Sequence, residues 1–313
     1  MRLLFVMDPV DTVIMMEDTS FAIMWEAQQR GHRVDHCLVQ DVELIDGRCR
    51  ASVCKAVMQH DAVVPIVLYE PEVVDLADFD VVFIRKDPPF DDAYLWLTLC
   101  LERVRGETLI VNDPAGLRAA NEKLYAAHFP ELMPRTLVAA DKSRIKAFVR
   151  DVGGRAVIKP VDGHGGEGIF ALRLDDPNLN AHIETVTRHG KRVAMVQAFI
   201  DEVSRGDKRI LLMDGEVLGA ILRVPQGGDL RSNIHVGGRV VPTEIDDADR
   251  RIIDTMRDRL KRDGLVFVGL DVIGGKLTEV NVTSPTGIQQ MSRLSGTNCE
   301  APVLDWLERQ VGT

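Results

Sequence analysis

The stretch LVFVGLDVIGGKLTEVNV, residues 265–282, places two carboxylates and one amide in an otherwise apolar pair of predicted strands. Side chains alternate along a strand, so Glu279 and Asn281 share one face. Asp271 joins that face only if it pairs with Glu279, which we expect from a three-residue loop, 274–276, and not from a two-residue Gly-Gly turn. These hard oxygen ligands suit Mg²⁺ bound to phosphates. A solvated sheet face is the alternative, but carboxylates in buried strands need a partner, so the stretch favours a magnesium site.

A second stretch, GHGGEG at 163–168, satisfies the pattern G-x-G-x-x-G. Dinucleotide folds require a helix after this pattern, whereas the apolar run 169–174 that follows here predicts a strand. We therefore interpret the loop as a flap between two antiparallel strands, whose backbone N–H groups lie over triphosphate oxygens. A plain hairpin tip is the alternative. Walker A and protein-kinase motifs are both absent from the sequence. The flap glycines are Gly163, Gly165, Gly166 and Gly168.

Two lysines and an apolar strand end flank this flap. Lys159 ends the predicted strand before it, and Lys123 lies on an earlier predicted helix, so the two cations could converge on phosphate. Downstream, a predicted apolar strand ends with backbone groups that could face an adenine edge. Each feature is individually ordinary, because most lysines are solvated and most apolar strands belong to the core. The residues of that strand end are Gln197, Ala198, Phe199 and Ile200.

Short strands alternate with helices over the first 112 residues, beginning with the strand 3–7 and the helix 20–30. This alternation predicts a doubly wound α/β domain, in which strand ends such as 81–85 point at a ligand crevice. Mixed helix and strand signals then predict a smaller α+β unit. The remainder holds a hairpin at Asp214-Gly215, a polar glycine-rich stretch and an amphipathic helix. We expect three domains, at 1–122, 123–199 and 200–313.

Composition bounds the possible partners. The 313 residues are 45% hydrophobic and carry a net charge of -10, which is a poor electrostatic match for nucleic acid or anionic membranes. No apolar run approaches the roughly 18 residues that span a bilayer. The five cysteines are odd in number and lack C-x-x-C spacing. We therefore expect free thiols in the cytoplasm, with neither nucleic-acid nor membrane partners.

A lysine, a second lysine before a glycine flap, an apolar strand end and a late Asp…Glu-x-Asn hairpin follow one another in the order of the ATP-grasp fold. Further blocks throughout the chain resemble the bacterial glutathione synthetases. They are VMDP at 6–9, DTSFA at 18–22, RKDPPFD at 85–91, NEKL at 121–124, GDKR at 206–209, PQGG at 225–228 and LTEVNVTSPT at 277–286. The resemblance implies an N-terminal doubly wound (pre-ATP-grasp) domain, a small central lid domain and a C-terminal ATP-grasp domain.

The resemblance also implies ATP-dependent joining of γ-L-glutamyl-L-cysteine to glycine, with release of ADP and phosphate. A carboxylate does not condense with an amine in water, so such an enzyme first makes an acyl phosphate with the help of Mg²⁺, or of Mn²⁺ in its place, and of cationic side chains. Lys123, Lys159 and Asp207 would bind the nucleotide. Arg209 and Arg223 would neutralise the transferred phosphoryl group. Asp271, Glu279 and Asn281 would hold the metal.

By the same resemblance, the peptide substrate would lie between the first and last domains. One side would be formed by Asp18, Ser20, Arg85 and Lys86, and the other by Ser284, Pro285 and Thr286. The stretch 226–239 resembles the family's mobile loop, with Arg231 and Asn233 as contacts. His164 and His235 have no fixed role in that pattern.

Two other functions remain open from the sequence. One is a different carboxylate–amine ligase of the same fold, which only the N-terminal blocks and the Ser284-Pro285-Thr286 motif oppose. The other is a non-catalytic ATP-binding module, which retention of both lysines and of the metal ligands argues against. The resemblance further implies a homo-oligomer.

Overall fold

Within residues 1–163, 165–226 and 238–312, which the computed structural model describes, the strands form three sheets. The first has the order β3-β4-β2-β1-β6-β7, with β5 paired to β4. Its strands are β1 (Arg2–Met7), β2 (Arg33–Cys37), β3 (Val42–Ile45), β4 (Arg48–Met58), β5 (Ile66–Asp75), β6 (Val81–Arg85) and β7 (Leu109–Val111). The β2-β1-β6-β7 half is parallel, and β3, β4 and β5 are antiparallel additions.

Three helices pack on the parallel half: α1 (Thr19–Gln29), α2 (Asp92–Leu101) and α3 (Pro114–Ala119). Successive residues of β1 point to opposite faces, so Leu3 and Phe5 pack with α1, whereas Leu4 and Val6 pack with α2 and α3. An aspartate caps each helix, as Asp113 does for α3 by accepting from two backbone N–H groups. Helices on both faces confirm the predicted doubly wound arrangement.

The second sheet is antiparallel, with the order β10-β9-β11-β8. Its strands are β8 (Thr136–Ala139), β9 (Arg155–Pro160), β10 (Phe170–Arg173) and β11 (Ala194–Ala198), and its helices are α4 (Lys142–Asp151) and α5 (Leu179–Thr187). Ile145, Ile158, Ile183 and Val196 belong to a core of its own beneath these helices. The glycine-rich loop therefore joins two antiparallel strands, as its sequence context predicted.

The third sheet has the order β14-β13-β12-β15-β16. Its strands are β12 (Asp207–Met213), β13 (Glu216–Val224), β14 (Arg239–Pro242), β15 (Phe267–Ile273) and β16 (Lys276–Asn281). The helix α6 (Asp247–Arg262) comes between β14 and β15 in the chain, and α7 (Ile288–Ser295) and α8 (Ala301–Val311) follow β16. Leu4 and Val82 of the first sheet share one buried cluster with Ile210 and Leu270 of the third. The first and third sheets are thus joined through a common core.

The domain boundaries 1–122, 123–199 and 200–313 stay a prediction.

Among the described residues, no helix combines the length and apolar character that crossing a membrane requires.

Candidate active site

A cavity of about 590 Å³ lies between the second and third sheets. It brings together residues that the sequence analysis took from distant parts of the chain. The predicted site residues on its wall are Lys123, Lys159, Gly163, Gly165, Gly166, Gln197, Ala198, Phe199, Ile200, Asp207, Arg209, Arg223, Asp271, Glu279, Asn281, Ser284 and Thr286. Lysines from the middle of the chain and carboxylates from its C-terminal third therefore face the same space.

The hairpin of β15 and β16 has the predicted face but not the predicted loop. Ile273 pairs with Lys276, so the connection is the two-residue Gly-Gly turn and our three-residue loop was wrong. Both glycines have positive φ, which suits a tight hairpin turn. A β-bulge at Thr278 then shifts the register by one residue, and Asp271 pairs with Glu279 after all.

Asp271 is bound by two arginine side chains in the cavity. It accepts from Nε and Nη2 of Arg209 at 2.5 and 3.1 Å, and Nη2 of Arg223 lies 3.0 Å from its Oδ1. Burial alone would raise the pKa of Asp271, but the two guanidinium charges outweigh it and hold that pKa below its usual range. Asp207 shares Arg223, and burial raises the pKa of Asp207 to about 7 against the charge of that arginine.

The donor set of Asp271, Glu279 and Asn281 fits a magnesium ion. The two carboxylates are paired across the hairpin, and Asn281 follows Glu279 on the same face of β16. Within the described ranges no three His, Cys, Asp or Glu side chains cluster as a metal site, and the Asn281 amide is the third side-chain oxygen that this face offers. Carboxylate and amide oxygens are the ligands that Mg²⁺ accepts, usually together with phosphate oxygens.

Both predicted phosphate lysines are buried beside these carboxylates. Lys159 donates from Nζ to the backbone carbonyl of Thr278 at 3.1 Å, so the bulge residue supplies its acceptor. Burial lowers the pKa of Lys159, and the charge of Glu279 opposes that shift. Lys123 donates to the carbonyl of Gly163 and, at 3.1 Å, to Oε1 of Glu279.

We had expected Lys123 to lie on a helix, and this expectation was wrong. It lies in a turn directly before a short 3₁₀ helix, Tyr125–His128. The side chain of Asn121 accepts hydrogen bonds from the N–H groups of Lys123 and Leu124, and this local bond competes with helical pairing. The turn aims the ammonium group at the cavity.

The flap needs its glycines for different reasons. Gly165, Gly166 and Gly168 have φ of 61°, 84° and 68°, in the left-handed region that favours glycine. A Cβ on Gly163 would lie 2.6 Å from Cγ of Pro160. Gly168 is absent from the cavity wall as described, so its contribution is conformational. His164 lies outside the described residues.

The strand end 197–200 forms part of the cavity wall. The N–H of Ala198 donates to the carbonyl of Arg135, and that of Phe199 to the carbonyl of Arg155. The Arg155 guanidinium also lies 4.1 Å above the Phe199 ring. These backbone donors are committed to neighbouring strands, and the apolar side chains supply a surface for a flat ring.

Several predicted peptide-binding residues are not part of the cavity wall. Among the described residues, Asp18, Ser20, Arg85, Lys86 and Pro285 are not on its wall. Asp18 caps α1 by accepting from Phe21 N at 2.7 Å, and Arg85 is buried with its Nε on Ser20 Oγ at 2.9 Å. Lys86 is paired with Asp8. Arg231 and Asn233, together with His235, lie outside the described residues.

Ser284 and Thr286 connect this region to the cavity. Ser284 Oγ donates to the carbonyl of Arg85 at 3.4 Å, and Arg209 donates to the carbonyl of Thr286 at 3.2 Å. The segment after β16 therefore links the carboxyl end of β6 to Arg209. This contact brings the two predicted sides of the peptide site together.

Other residues on the cavity wall were not predicted from the sequence. They are Asp87, Pro88, Glu122, Pro134, Val157, Glu167, Ile169, Phe170, Ala171, Val203, Ile273 and Thr278. Glu122 is the most notable, because its carboxylate binds the backbone after β16. Its position next to Lys123 was the only local signal, since its partners lie about 160 residues further along the chain.

Two antiparallel sheets that enclose a cavity, one with a glycine flap and the other with a carboxylate hairpin, define an ATP-grasp protein. Comparison with known proteins narrows the class. The family model for the prokaryotic glutathione synthetase N-terminal domain matches residues 1–118, and the model for its ATP-grasp domain matches residues 122–296. The chain belongs to the prokaryotic glutathione synthetase family, which confirms the resemblance found in its sequence.

Individual relatives agree over nearly the whole chain. A glutathione synthetase from Gloeobacter violaceus is 48% identical over 316 residues, covering 98% of this chain and 96% of the relative. One from Shewanella oneidensis is 42% identical over 313 residues, covering 99% of each. The solved structure of the D-cycloserine synthetase DcsG has a TM-score of 0.67 at 17% identity, covering 98% of this chain and 99% of that one, and shows the shared fold alone.

Proposed function

We propose that this chain catalyses the ATP-dependent ligation of γ-L-glutamyl-L-cysteine and glycine to glutathione, with release of ADP and phosphate. Family membership supports the reaction. The observation that carries the site is the single cavity in which Lys123, Lys159, the flap and the carboxylate hairpin meet. A ligase of this kind needs to activate a carboxylate, and the cationic and acidic side chains on the wall of this cavity are suited to that task.

The nucleotide would lie between the two sheets. Its adenine would rest against 197–200, and Lys123 and Lys159 would bind the α- and β-phosphates beneath the flap. Asp207 would complete the nucleotide site. Asp271, Glu279 and Asn281 would hold Mg²⁺, or Mn²⁺ in its place, which supplies positive charge to the phosphate oxygens when bound.

The chemistry proceeds in two steps. The cysteinyl carboxylate attacks the γ-phosphorus, the bond to the bridging oxygen breaks, and ADP leaves with that electron pair. The amine of glycine then attacks the acyl carbon, phosphate leaves, and the nitrogen loses a proton to give the amide. Arg209 and Arg223 would donate hydrogen bonds to the phosphoryl group in both steps, because their buried guanidinium groups already face the cavity.

The peptide would lie against the segment 284–286, which borders the cavity. Asp18, Ser20, Arg85 and Lys86 would form the side contributed by the first domain, with Arg231 and Asn233 of the stretch 226–239 closing over it. We also propose the domain division 1–122, 123–199 and 200–313, and, from the family resemblance, a homo-oligomer. The free cysteines and a thiol substrate favour the reducing cytoplasm.

Phosphate release tests this function. We expect release that depends on γ-glutamylcysteine, glycine, ATP and Mg²⁺ together. Each substrate is omitted in turn or replaced by another dipeptide or amino acid. Turnover without γ-glutamylcysteine, or equal turnover with an unrelated acceptor, would contradict the proposal.

A further inference from the structure

The tripeptide Asn121-Glu122-Lys123 contacts three separate segments: the base of the flap, the flap itself, and β16 with the two residues that follow it. Asn121 donates from Nδ2 to the carbonyl of Val161, at the base of the flap, at 3.1 Å. Lys123 reaches the flap and Glu279. Glu122 lies between these two residues and binds neither the flap nor a cation in the described part of the chain. Its hydrogen-bond partners lie on β16, which carries Glu279 and Asn281, and on the two residues that follow this strand.

Glu122 holds that strand with both its backbone and its side chain. Its carbonyl accepts from Val280 N at 2.9 Å. Its Oε1 accepts from Val282 N at 3.0 Å, from Thr283 N at 3.1 Å and from Thr283 Oγ1 at 2.8 Å. One residue therefore binds the backbone on both sides of Asn281.

These bonds begin where the sheet ends. The ladder between β15 and β16 stops at the pair Gly269 and Asn281. Beyond it, the N–H groups of Val282 and Thr283 have no strand partner and need another acceptor. The Glu122 carboxylate is that acceptor, although it lies close to Glu279 and its own burial raises its pKa. A buried carboxylate in this setting is costly, and the three hydrogen bonds that it accepts from Val282 and Thr283 offset that cost.

We propose that Glu122 is a positioning residue for the ligase reaction: it fixes Asn281 and Ser284 relative to Lys123, so that the metal site and the phosphate site form at a set separation. Outer partners that orient metal ligands act in this way in other proteins. The connection between the metal site and the phosphate site is short, because Glu122 and Lys123 are adjacent in the chain. The inference rests on the proposed function, since it assumes that both sites are used together.

The test measures Mg²⁺-dependent binding of ADP, which needs no turnover. Glu122→Ala removes three hydrogen bonds from the strand, and we expect the Mg²⁺ concentration for half-maximal ADP binding to rise about 10–100-fold. Glu122→Gln keeps an oxygen acceptor for the same donors and should restore most of the wild-type Mg²⁺ dependence. Thermal unfolding of each free variant is recorded in parallel.

Asp113→Ala is the matched control. Asp113 accepts from two backbone N–H groups and pairs with Arg105, but among the described residues it does not line the cavity. It should lower thermal stability without moving the Mg²⁺ dependence. An unchanged Mg²⁺ dependence in Glu122→Ala, or a shift equal to that of Asp113→Ala, would overturn the inference. Absence of Mg²⁺-dependent ADP binding in the wild type would instead refute the proposed function.

Discussion

Replacing Asp271 with asparagine tests the balance of charge at the centre of the cavity. The wild-type cluster contains two buried guanidinium groups, Arg209 and Arg223, and two buried carboxylates, Asp271 and Asp207. Asp271→Asn leaves one positive charge without a partner. Removing one member of a buried ion pair destabilises a protein by about 3–5 kcal/mol.

The lower end of that range applies here. Asp271 is one of the charges that raise the pKa of Asp207, so its removal lets Asp207 ionise more fully beside Arg223. We therefore expect the free energy of unfolding to fall by about 3 kcal/mol at neutral pH. Asp271→Asn combined with Arg209→Met should recover part of this loss, because the second change removes the unpartnered charge.

Urea unfolding of the ligand-free protein measures the effect, with Asp247→Asn as the control. Asp247 is fully exposed, and its ion pair in the described part of the chain is with Arg250 three residues along its helix, so its loss should change stability by about 0.5 kcal/mol or less. If Asp271→Asn is no less stable than this control, the buried cluster does not contribute as reasoned. A double variant less stable than either single one would also contradict it.

Three further predictions concern ligand binding. The Glu279 side chain is 21% exposed and, among the described residues, its ion pair is with Lys123, so Glu279→Ala should keep the fold yet lose more than about 100-fold in turnover; near-normal turnover in saturating Mg²⁺ would exclude the metal role. Gly166→Val places a branched residue at a φ of 84°, so about 1–3 kcal/mol of strain should weaken ATP binding roughly ten-fold or more by calorimetry, and unchanged affinity would leave the flap a surface turn. Burial lowers the pKa of Lys159 and a triphosphate favours its charged form, so ATP binding should take up protons and weaken as pH rises through that lowered pKa; calorimetry in buffers of different ionisation enthalpy should show no such uptake in Lys159→Met.

Local patterns were sufficient to predict much of the fold. The apolar run after the flap indicated a strand, and the structure has β10 antiparallel to β9 there. Alternation placed Glu279 and Asn281 on one face of β16. These inferences succeeded because each depends on a few adjacent residues and on the period of a single element.

The failures share a physical cause. The bulge at Thr278 depends on contacts across the sheet, and no sequence pattern within the hairpin indicates it. Lys123 was placed on a helix because the Asn121 side-chain bond that opens the turn was not considered. Strand β5, with several exposed residues around Pro71, shows little amphipathic alternation and was missed.

The role of Glu122 was also beyond local reasoning. Its carboxylate acts on Val282 and Thr283, which only the folded chain brings near. The peptide-side residues differ in another way, because Asp18 and Arg85 were predicted by resemblance; they are not part of the cavity wall, and their role stays a prediction.

The extra residue of the β-bulge, Thr278, could be gained or lost in evolution without changing the register of the hairpin. Leu277 already pairs with Val272, so a chain lacking this one codon could still set Asp271 opposite Glu279 with the same Gly-Gly turn. The extra residue is therefore dispensable for register, yet it brings the carbonyl to which Lys159 donates and a hydroxyl that donates to the carbonyl of Asp271. Gain or loss of a single residue at this position would leave the turn and the pairing of Asp271 with Glu279 intact. It would, however, add or remove the carbonyl that accepts from the buried Lys159.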